Sequence, residues 1–388
     1  MSALTQLNTE ARVRWIHRAV CLFFLIGIGM SLPLWAGERL FPHIPVFSGL
    51  ELPGAAHWGL AGLLAMALVL NMVQLKKWWA ALLLGLMVLI VLPDQMRLQP
   101  WVFVYFLILF PLGLVTLTEK NAAALLSYVQ ILLVGVYVWS GLHKFTQSFI
   151  DLVYPLLLKG LFKLPEDNYL LEVREWGYLL AAVELSIGIG LIFPKTRNLA
   201  VIGAVFTHLL IIAWVLVDNP NYTILPWNAA MIAVVILSSW NVKNRISLWP
   251  KTSPPLRWAT VGLALLIWLM PVLNTKNKWD AYLSFNLYTE RISHLFVGMR
   301  QQALEGIDPK LNNYFAEENL IEEGRVIDVE KWSFDELKVP VYPALRVHKA
   351  IGRYFCRPPA DPNQIMLVTY RRPFREGHYE VFFCKDCE

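Results

Sequence analysis

Glu184, His208 and Asn228 stand inside long apolar runs, Lys144 ends another in the string VWSGLHKF directly after His143, and Cys384 and Cys387 form a C-x-x-C pair near the C-terminus. A charged or amide group at membrane depth is costly unless it is paired or lines a wet cavity, so these are the first residues to test for chemistry. Glu184 and His208 lie roughly nine and ten residues into consecutive apolar runs that enter from opposite sides, and at about 1.5 Å per residue both reach the middle of a bilayer. Adjacent antiparallel helices are expected to bring the carboxylate and imidazole together, as a proton-handling pair or as a buried structural hydrogen bond. Lys144 has two readings. One is a lysine snorkelling to the interface; the other is a partly desolvated amine that acts as a base. Asn228, within TILPWNAAM, needs a partner on a neighbouring helix or on a polar ligand. The C-x-x-C spacing resembles a redox pair, and a structural disulfide Cys384–Cys387, or one that uses Cys356 instead, is the competing expectation.

The elements that hold these groups follow from composition. Of 388 residues, 56% are hydrophobic and 16% charged, with mean hydropathy +0.48, so a bilayer is the expected solvent. Many of the 16 Trp and 14 Tyr fall at the ends of apolar runs, as an aromatic belt does. Spans are expected near 16–36, 57–75, 78–93, 101–118, 122–143, 175–193, 198–217, 222–240 and 257–273, the third being short. The first run lacks a small-residue cleavage site and reads as a retained anchor rather than a signal peptide. The N-terminus and the loops holding Lys76, Lys120, Lys195, Arg197, Lys243 and Arg245 are richer in Lys and Arg than the alternate loops, which makes the N-terminus cytoplasmic. An odd number of spans then sends the C-terminus to the far side, the periplasm if the membrane is a bacterial inner membrane.

The expected fold class is therefore an all-α polytopic transmembrane bundle of about nine helices with a small C-terminal α+β extramembrane domain. Residues 1–121 form N-terminal transmembrane helices, 122–273 a transmembrane core, and 274–388 the extramembrane domain. In the last, 365–370 and 379–383 read as strands joined around Arg375-Glu376-Gly377, charges become dense at Glu317, Glu318, Glu322 and Glu323, and Arg346, Lys349, Arg353, Arg357, Arg371, Arg372 and Arg375 make a basic cluster. That cluster reads as a solvated or headgroup-facing surface. The segment FIDLVYPLLLKGLFKLP is too short to span after Pro155 and reads as an interfacial or re-entrant lid over Lys144. The net charge of +5 resides largely in short loops, and no nucleic-acid signature is present. No Walker loop, dinucleotide fingerprint, His-Glu-x-x-His or serine elbow supports nucleotide hydrolysis or zinc peptidase chemistry, and no metal is expected.

The run YVQILLVGVYVWSGLHKF, then ELSIGIGLIFPKTRNLAVIGAVFTHLLI, then TILPWNAAMIAVV, resembles the transmembrane domain of the vitamin K-dependent gamma-carboxylase (HTTM) family and its bacterial relatives. It is also similar to the smaller DoxX/MauE-like membrane proteins in its aromatic-Gly-x-x-Lys helix end and its Glu-Leu-x-x-Gly helix. The resemblance covers about residues 122–300, including WDAYLSFNLYTERISHLFVGM, which looks like the aromatic segment leading the carboxylase chain out of the membrane. It implies a catalytic role for Lys144 as the base that deprotonates a bound hydroquinone. It further implies a pocket for a lipophilic quinone between the fifth and eighth spans, with His208 and Asn228 on its wall and His143, Trp139 and Trp227 as further cofactor-binding candidates, and on that reading Glu184 and His208 are expected to form the proton path. The extramembrane part is far smaller than the carboxylase lumenal region, so propeptide binding and glutamate carboxylation do not follow from the likeness.

Two functions are expected to compete. One is a quinone-dependent oxidoreductase or carboxylase-like membrane enzyme. The other is a non-catalytic subunit or assembly factor, whose buried polar groups fix helix packing and whose C-terminal domain or first four spans dock a protein partner. A transporter is disfavoured by the lack of repeated halves. Membrane lipids are the only partner common to both readings.

Overall fold

The architecture comes from a computed structural model, which describes residues 7–47, 49–164, 172–218, 221–289, 292–316, 324–357, 362–371 and 379–387. Arg372, Arg375, Glu376, Gly377 and the four glutamates between 317 and 323 lie outside these, as does Pro165.

Among the described residues six helices are long and apolar enough to cross a membrane: α1 (Thr9–Met30), α2 (Gly54–Val73), α5 (Glu119–His143), α7 (Gly177–Ile192, extended by a 3₁₀ turn from Arg174), α8 (Arg197–Asp218) and α10 (Pro254–Asn274). Three further apolar helices are shorter: α3 (Lys77–Val91), α4 (Pro100–Leu114) and α9 (Ile224–Ser239). The nine expected segments are all helical, but three fall short of membrane length. α1 starts well before the expected boundary, because Asn8 caps it by accepting from Ala11 N–H at 2.8 Å. Its first turn is polar, so an apolar-run count missed it.

α5 is the central helix. Its apolar window is 89% buried, against 28% to 44% for the other five membrane-length helices, and it packs against α1, α4, α7, α9 and α10. Arginines tie the helix ends by taking carbonyls that a helix leaves without partners. Arg12 donates to Leu237 O and Trp240 O at 3.1 Å each, at the end of α9. Arg197 reaches Leu191 O, Ile192 O, Val242 O and Asn244 O, joining α7, α8 and the segment after α9. At the opposite face Arg97, with no solvent exposure, donates to Leu34 O, Trp35 O and Ile90 O. It shares a buried cluster with Asp94, which accepts from Arg39 at 2.6 Å and from the Ile44 and Met96 amides.

The expected lid is a π-helical turn at Phe149–Val153 running into α6 (Tyr154–Phe162). Phe149, Ile150 and Val153 pack with Tyr154, Tyr178, Leu180 and Tyr288 in a cluster separate from the main core.

The C-terminal domain is an antiparallel sheet in the order β2-β1-β3-β4, from β1 (His294–Arg300), β2 (Gly324–Asp328), β3 (Ile365–Tyr370) and β4 (Tyr379–Phe383). The two strands read from sequence are β3 and β4, paired with Val368 opposite Val381. β1 falls in the segment read as the aromatic exit from the membrane. Helices α11 (Val329–Leu337) and α12 (Leu345–Phe355) pack on the sheet around the fully buried Trp332. The domain rests on the loops of the bundle: Phe41 lies tilted against Trp332 with ring centroids 4.6 Å apart, and Glu336 accepts from the amides of Leu40 and Phe41. Gln99 also donates to Pro340 O at 3.3 Å, and Thr223 to Lys338 O at 3.2 Å.

Of the two disulfide expectations, the Cys384–Cys387 pairing needs correcting and the one that uses Cys356 is what the structure has. The bridge joins Cys356 to Cys384 with Cα atoms 5.7 Å apart, and Cys387 is a buried free thiol. Cys384 follows β4 directly, and the end of α12 brings Cys356 within bridging range. In the basic cluster Arg346, Arg353 and Arg357 are exposed, and several of its members also make contacts within the domain. Arg346 pairs with Asp280, Arg353 donates to Cys387 O at 2.6 Å, and Lys349 lies over the Phe382 ring.

Candidate functional site

Tyr137, Ser140 and Lys144 follow one another at three and four residues along α5 and its C-terminal end, so they lie along one face. That face meets α7 and α8. The approach to α7 is close because small residues meet there: a Cβ on Gly141 would lie 2.6 Å from Leu185 N, and one on Gly188 2.8 Å from Val138 N. With the backbones this near, the side chain before Leu185 is brought to the lysine.

Lys144 Nζ donates to Glu184 Oε2 at 2.6 Å and to Ser140 Oγ at 2.7 Å. Their side chains retain 11% and 14% exposure, so the pair is largely but not wholly removed from its surroundings. This replaces the expected Glu184–His208 contact. His208 bonds instead to the Tyr137 hydroxyl through Nε2 at 2.8 Å and to Asn228 Oδ1 through Nδ1 at 2.7 Å. The protons of this second group follow from its last member. Asn228 Nδ2 donates to Ile224 O at 2.8 Å, so Oδ1 faces His208 and Nδ1 must carry the imidazole proton. Nε2 then accepts from Tyr137, and every polar atom from Tyr137 to the Ile224 carbonyl is satisfied.

The remaining expected residues surround these two groups. Trp139 and His143 lie one turn apart with ring centroids 5.6 Å apart. The indole N–H groups of Trp139 and Trp227 are buried and have no acceptor among the described residues. Phe145 stacks on Tyr178 at 6.1 Å, between the end of α5 and the start of α7.

His143, Gln147 and Ser148 also form one wall of an open cleft of about 990 Å³ between the bundle and the C-terminal domain. Its other walls include Asn274, Asp280, Arg346, Tyr370 and Tyr379. Arg346 Nη1 donates to Asp280 Oδ1 at 2.8 Å, and Tyr342 donates to Asp280 Oδ2 at 2.6 Å. Burial works to raise the Asp280 carboxyl, but the bonds from Arg346 and Tyr342 outweigh it and hold it below the usual range. Among the described residues no group of three or more His, Cys, Asp or Glu is arranged to hold a metal.

Sequence reasoning missed Tyr137, Ser140, Asp280 and Tyr342. The first two were available from periodicity, being seven and four residues before Lys144. Asp280 and Tyr342 were not, since their meeting depends on how the domain docks. Comparison of the chain with family models, with curated proteins and with solved structures finds no match.

Proposed function

We propose that this chain is an integral membrane protein whose nine apolar helices all cross the bilayer, with the N-terminus cytoplasmic and the C-terminal domain on the outer face. It binds a lipophilic quinone-like ring compound near the end of α5 and abstracts a proton from it. The observation that carries the reading is the Lys144–Glu184–Ser140 constellation: a lysine and carboxylate in contact at 2.6 Å on the rim of a bundle, with an aromatic stack and His143 beside them.

As the base, the Lys144 amine takes a proton from an acidic hydroxyl next to it, and the positive charge it gains balances the new anion. Ser140 orients the amine. The buried indole N–H groups of Trp139 and Trp227 suit ring oxygens that can accept, so the residues present fit a hydroquinone, which also keeps a hydroxyl proton for Lys144 to take. When bound, that group supplies an acidic hydroxyl and a redox-active ring. The lid at 149–162 limits access of water.

The test is lipid extraction and mass spectrometry of the purified protein. A quinone copurifies with the wild type and is lost from Lys144→Ala. An empty wild type, or retention by the variant, removes this reading.

The satisfied chain from Tyr137 through His208 and Asn228 to Ile224 O favours a second reading for that part of the bundle, in which it only fixes helix packing. If all the polar groups act so, the protein is a non-catalytic subunit or assembly factor whose C-terminal domain docks a partner.

A further inference from the structure

The C-x-x-C pair is not used by the site above, and the fold gathers more sulfur around it than the disulfide needs. Cys384–Cys387 forms a 3₁₀ turn immediately after β4. Such a turn rises about 6 Å over three residues and eclipses the first and fourth side chains, so Cys384 and Cys387 stand at a separation within disulfide range. Cys356 already bridges to Cys384. On the other side, Cys387 Sγ lies 3.1 Å from where a Cβ on Gly352 would stand, one helical turn before Cys356 on the same helix. Three sulfurs therefore meet at the end of α12, with Cys384 in reach of both others. Cys387 is 1% exposed, whereas Cys356 and Cys384 are intermediate.

We propose that Cys356, Cys384 and Cys387 form a thiol–disulfide exchange site, in which Cys384 alternates between Cys356 and Cys387. Cys387 gives up its proton and its thiolate attacks Cys384 Sγ. The S384–S387 bond forms as the S356–S384 bond breaks, and Cys356 leaves as a thiolate that takes up the proton. One disulfide and one thiol stand on each side of this step, so no oxidant or reductant is consumed. The class of external substrate such a site takes is a small thiol or a dithiol, attacking the half-exposed bridge.

The two states differ mechanically. The Cys356–Cys384 bridge joins positions 28 residues apart and anchors the end of β4 to α12. A Cys384–Cys387 bridge is local and leaves β4 held by its pairing with β3 and by the non-covalent contacts of Arg353 with Cys387 O and of Lys349 with the Phe382 ring. β4 is an edge strand, and its Tyr379 and Glu380 line the cleft. Exchange therefore loosens one wall of that cleft. Lys349, Arg353 and Asp386 are the charged groups acting on the Cys387 thiol; burial raises it above the usual thiol value, so exchange quickens as pH rises.

The experiment uses the full chain in detergent, equilibrated in glutathione redox buffers, quenched with acid and mapped by mass spectrometry after trypsin, which cuts at Lys385 between the two cysteines. Wild type is expected to show both bridges, interconverting as the thiol concentration is raised. Cys356→Ser is expected to form Cys384–Cys387, with amide exchange in residues 379–383 faster by about tenfold. Finding only Cys356–Cys384 in wild type at every buffer ratio overturns the proposal, even if the variant does not fold. So does a folded Cys356→Ser in which Cys384 and Cys387 carry glutathione but never each other.

Discussion

Lys144 Nζ meets Glu184 Oε2 at 2.6 Å just beyond the point where Gly141 lets α5 touch the backbone of Leu185. The ion pair and the close helix crossing are one feature, since neither side chain reaches the other if the helices move apart. Removing one partner strands a charge in a poorly solvated place, which costs about 3–5 kcal/mol, whereas removing both costs much less. Lys144→Met and Glu184→Gln are each expected to lower the thermal midpoint in detergent, and the double variant to recover at least half of the loss. Additive losses would show that the two side chains are not coupled.

The crossing itself is testable at glycine. In Gly141→Ala the new methyl would lie 2.6 Å from Leu185 N and 2.9 Å from its Cα, and backbone atoms cannot swing aside as a side chain does. The expected loss is about 1–3 kcal/mol, the usual cost of overpacking. Gly262→Ala on α10 is the control, because nothing lies within 4 Å of its Cβ position. Unfolding midpoints that fall equally for the two variants contradict the close approach.

Acid stability should depend on Asp94. Burial alone would raise its carboxyl, but Arg39, His43 and Arg97 overcome burial and hold it well below the carboxylate range. A depressed folded value means that the contribution is fully present above the unfolded value of about 3.9 and is lost as pH falls through the folded one. Unfolding followed from pH 7 downward should therefore show stability declining below about pH 4, a decline that Asp94→Asn lacks. The variant is also expected to be less stable at pH 7 by about 3–5 kcal/mol, because Arg39 and Arg97 lose their buried counter-charge. An unchanged acid limb in Asp94→Asn assigns the acid sensitivity elsewhere.

The helices and the last two strands were legible because their signals are local. Apolar runs marked the helices, and short runs rich in apolar, β-branched and aromatic residues marked 365–370 and 379–383. Lys144, Glu184, His208 and Asn228 were legible as costly groups in apolar surroundings, but their pairing was not. Counting depth placed Glu184 level with His208, whereas rotation about the helix axes turned Glu184 to α5 and left His208 to Tyr137 and Asn228. The Asp94 cluster and the Asp280–Arg346 clamp escaped for another reason. Arg39 and Asp94 are 55 residues apart and Asp280 and Arg346 are 66 apart, so only the tertiary fold joins them.

That clamp makes a prediction about the cleft. Arg346 holds Asp280 on the segment leaving α10 and donates to Gln95 Oε1 at 3.2 Å on the α3–α4 loop, so one side chain links the domain to two parts of the bundle. Its side chain is 53% exposed, so solvent screens the pair and the stability effect of Arg346→Ala should be small, about 1 kcal/mol. Local opening should respond more. Amide exchange in residues 275–286 is expected to speed up in the variant while that in α5 stays unchanged. Equal acceleration in both would point to global destabilisation instead.

The sharpest separation between a working and a packing role comes from Tyr137→Phe. The substitution keeps the ring and removes one hydroxyl, so His208 Nε2 loses the donor it has from Tyr137 while Nδ1 stays bonded to Asn228. A buried acceptor left without its partner costs about 1–3 kcal/mol. If the chain from Tyr137 to Ile224 O only fixes α5, α8 and α9 against one another, Tyr137→Phe lowers the unfolding midpoint and retains whatever lipid-soluble compound copurifies with wild type. If His208 serves the proton path, the same variant also loses the pH dependence of proton uptake at the Lys144 site, followed by a pH-sensitive dye on addition of a hydroquinone. The dye assay decides between them, because a packing defect changes the amount of folded protein but not the shape of its pH profile.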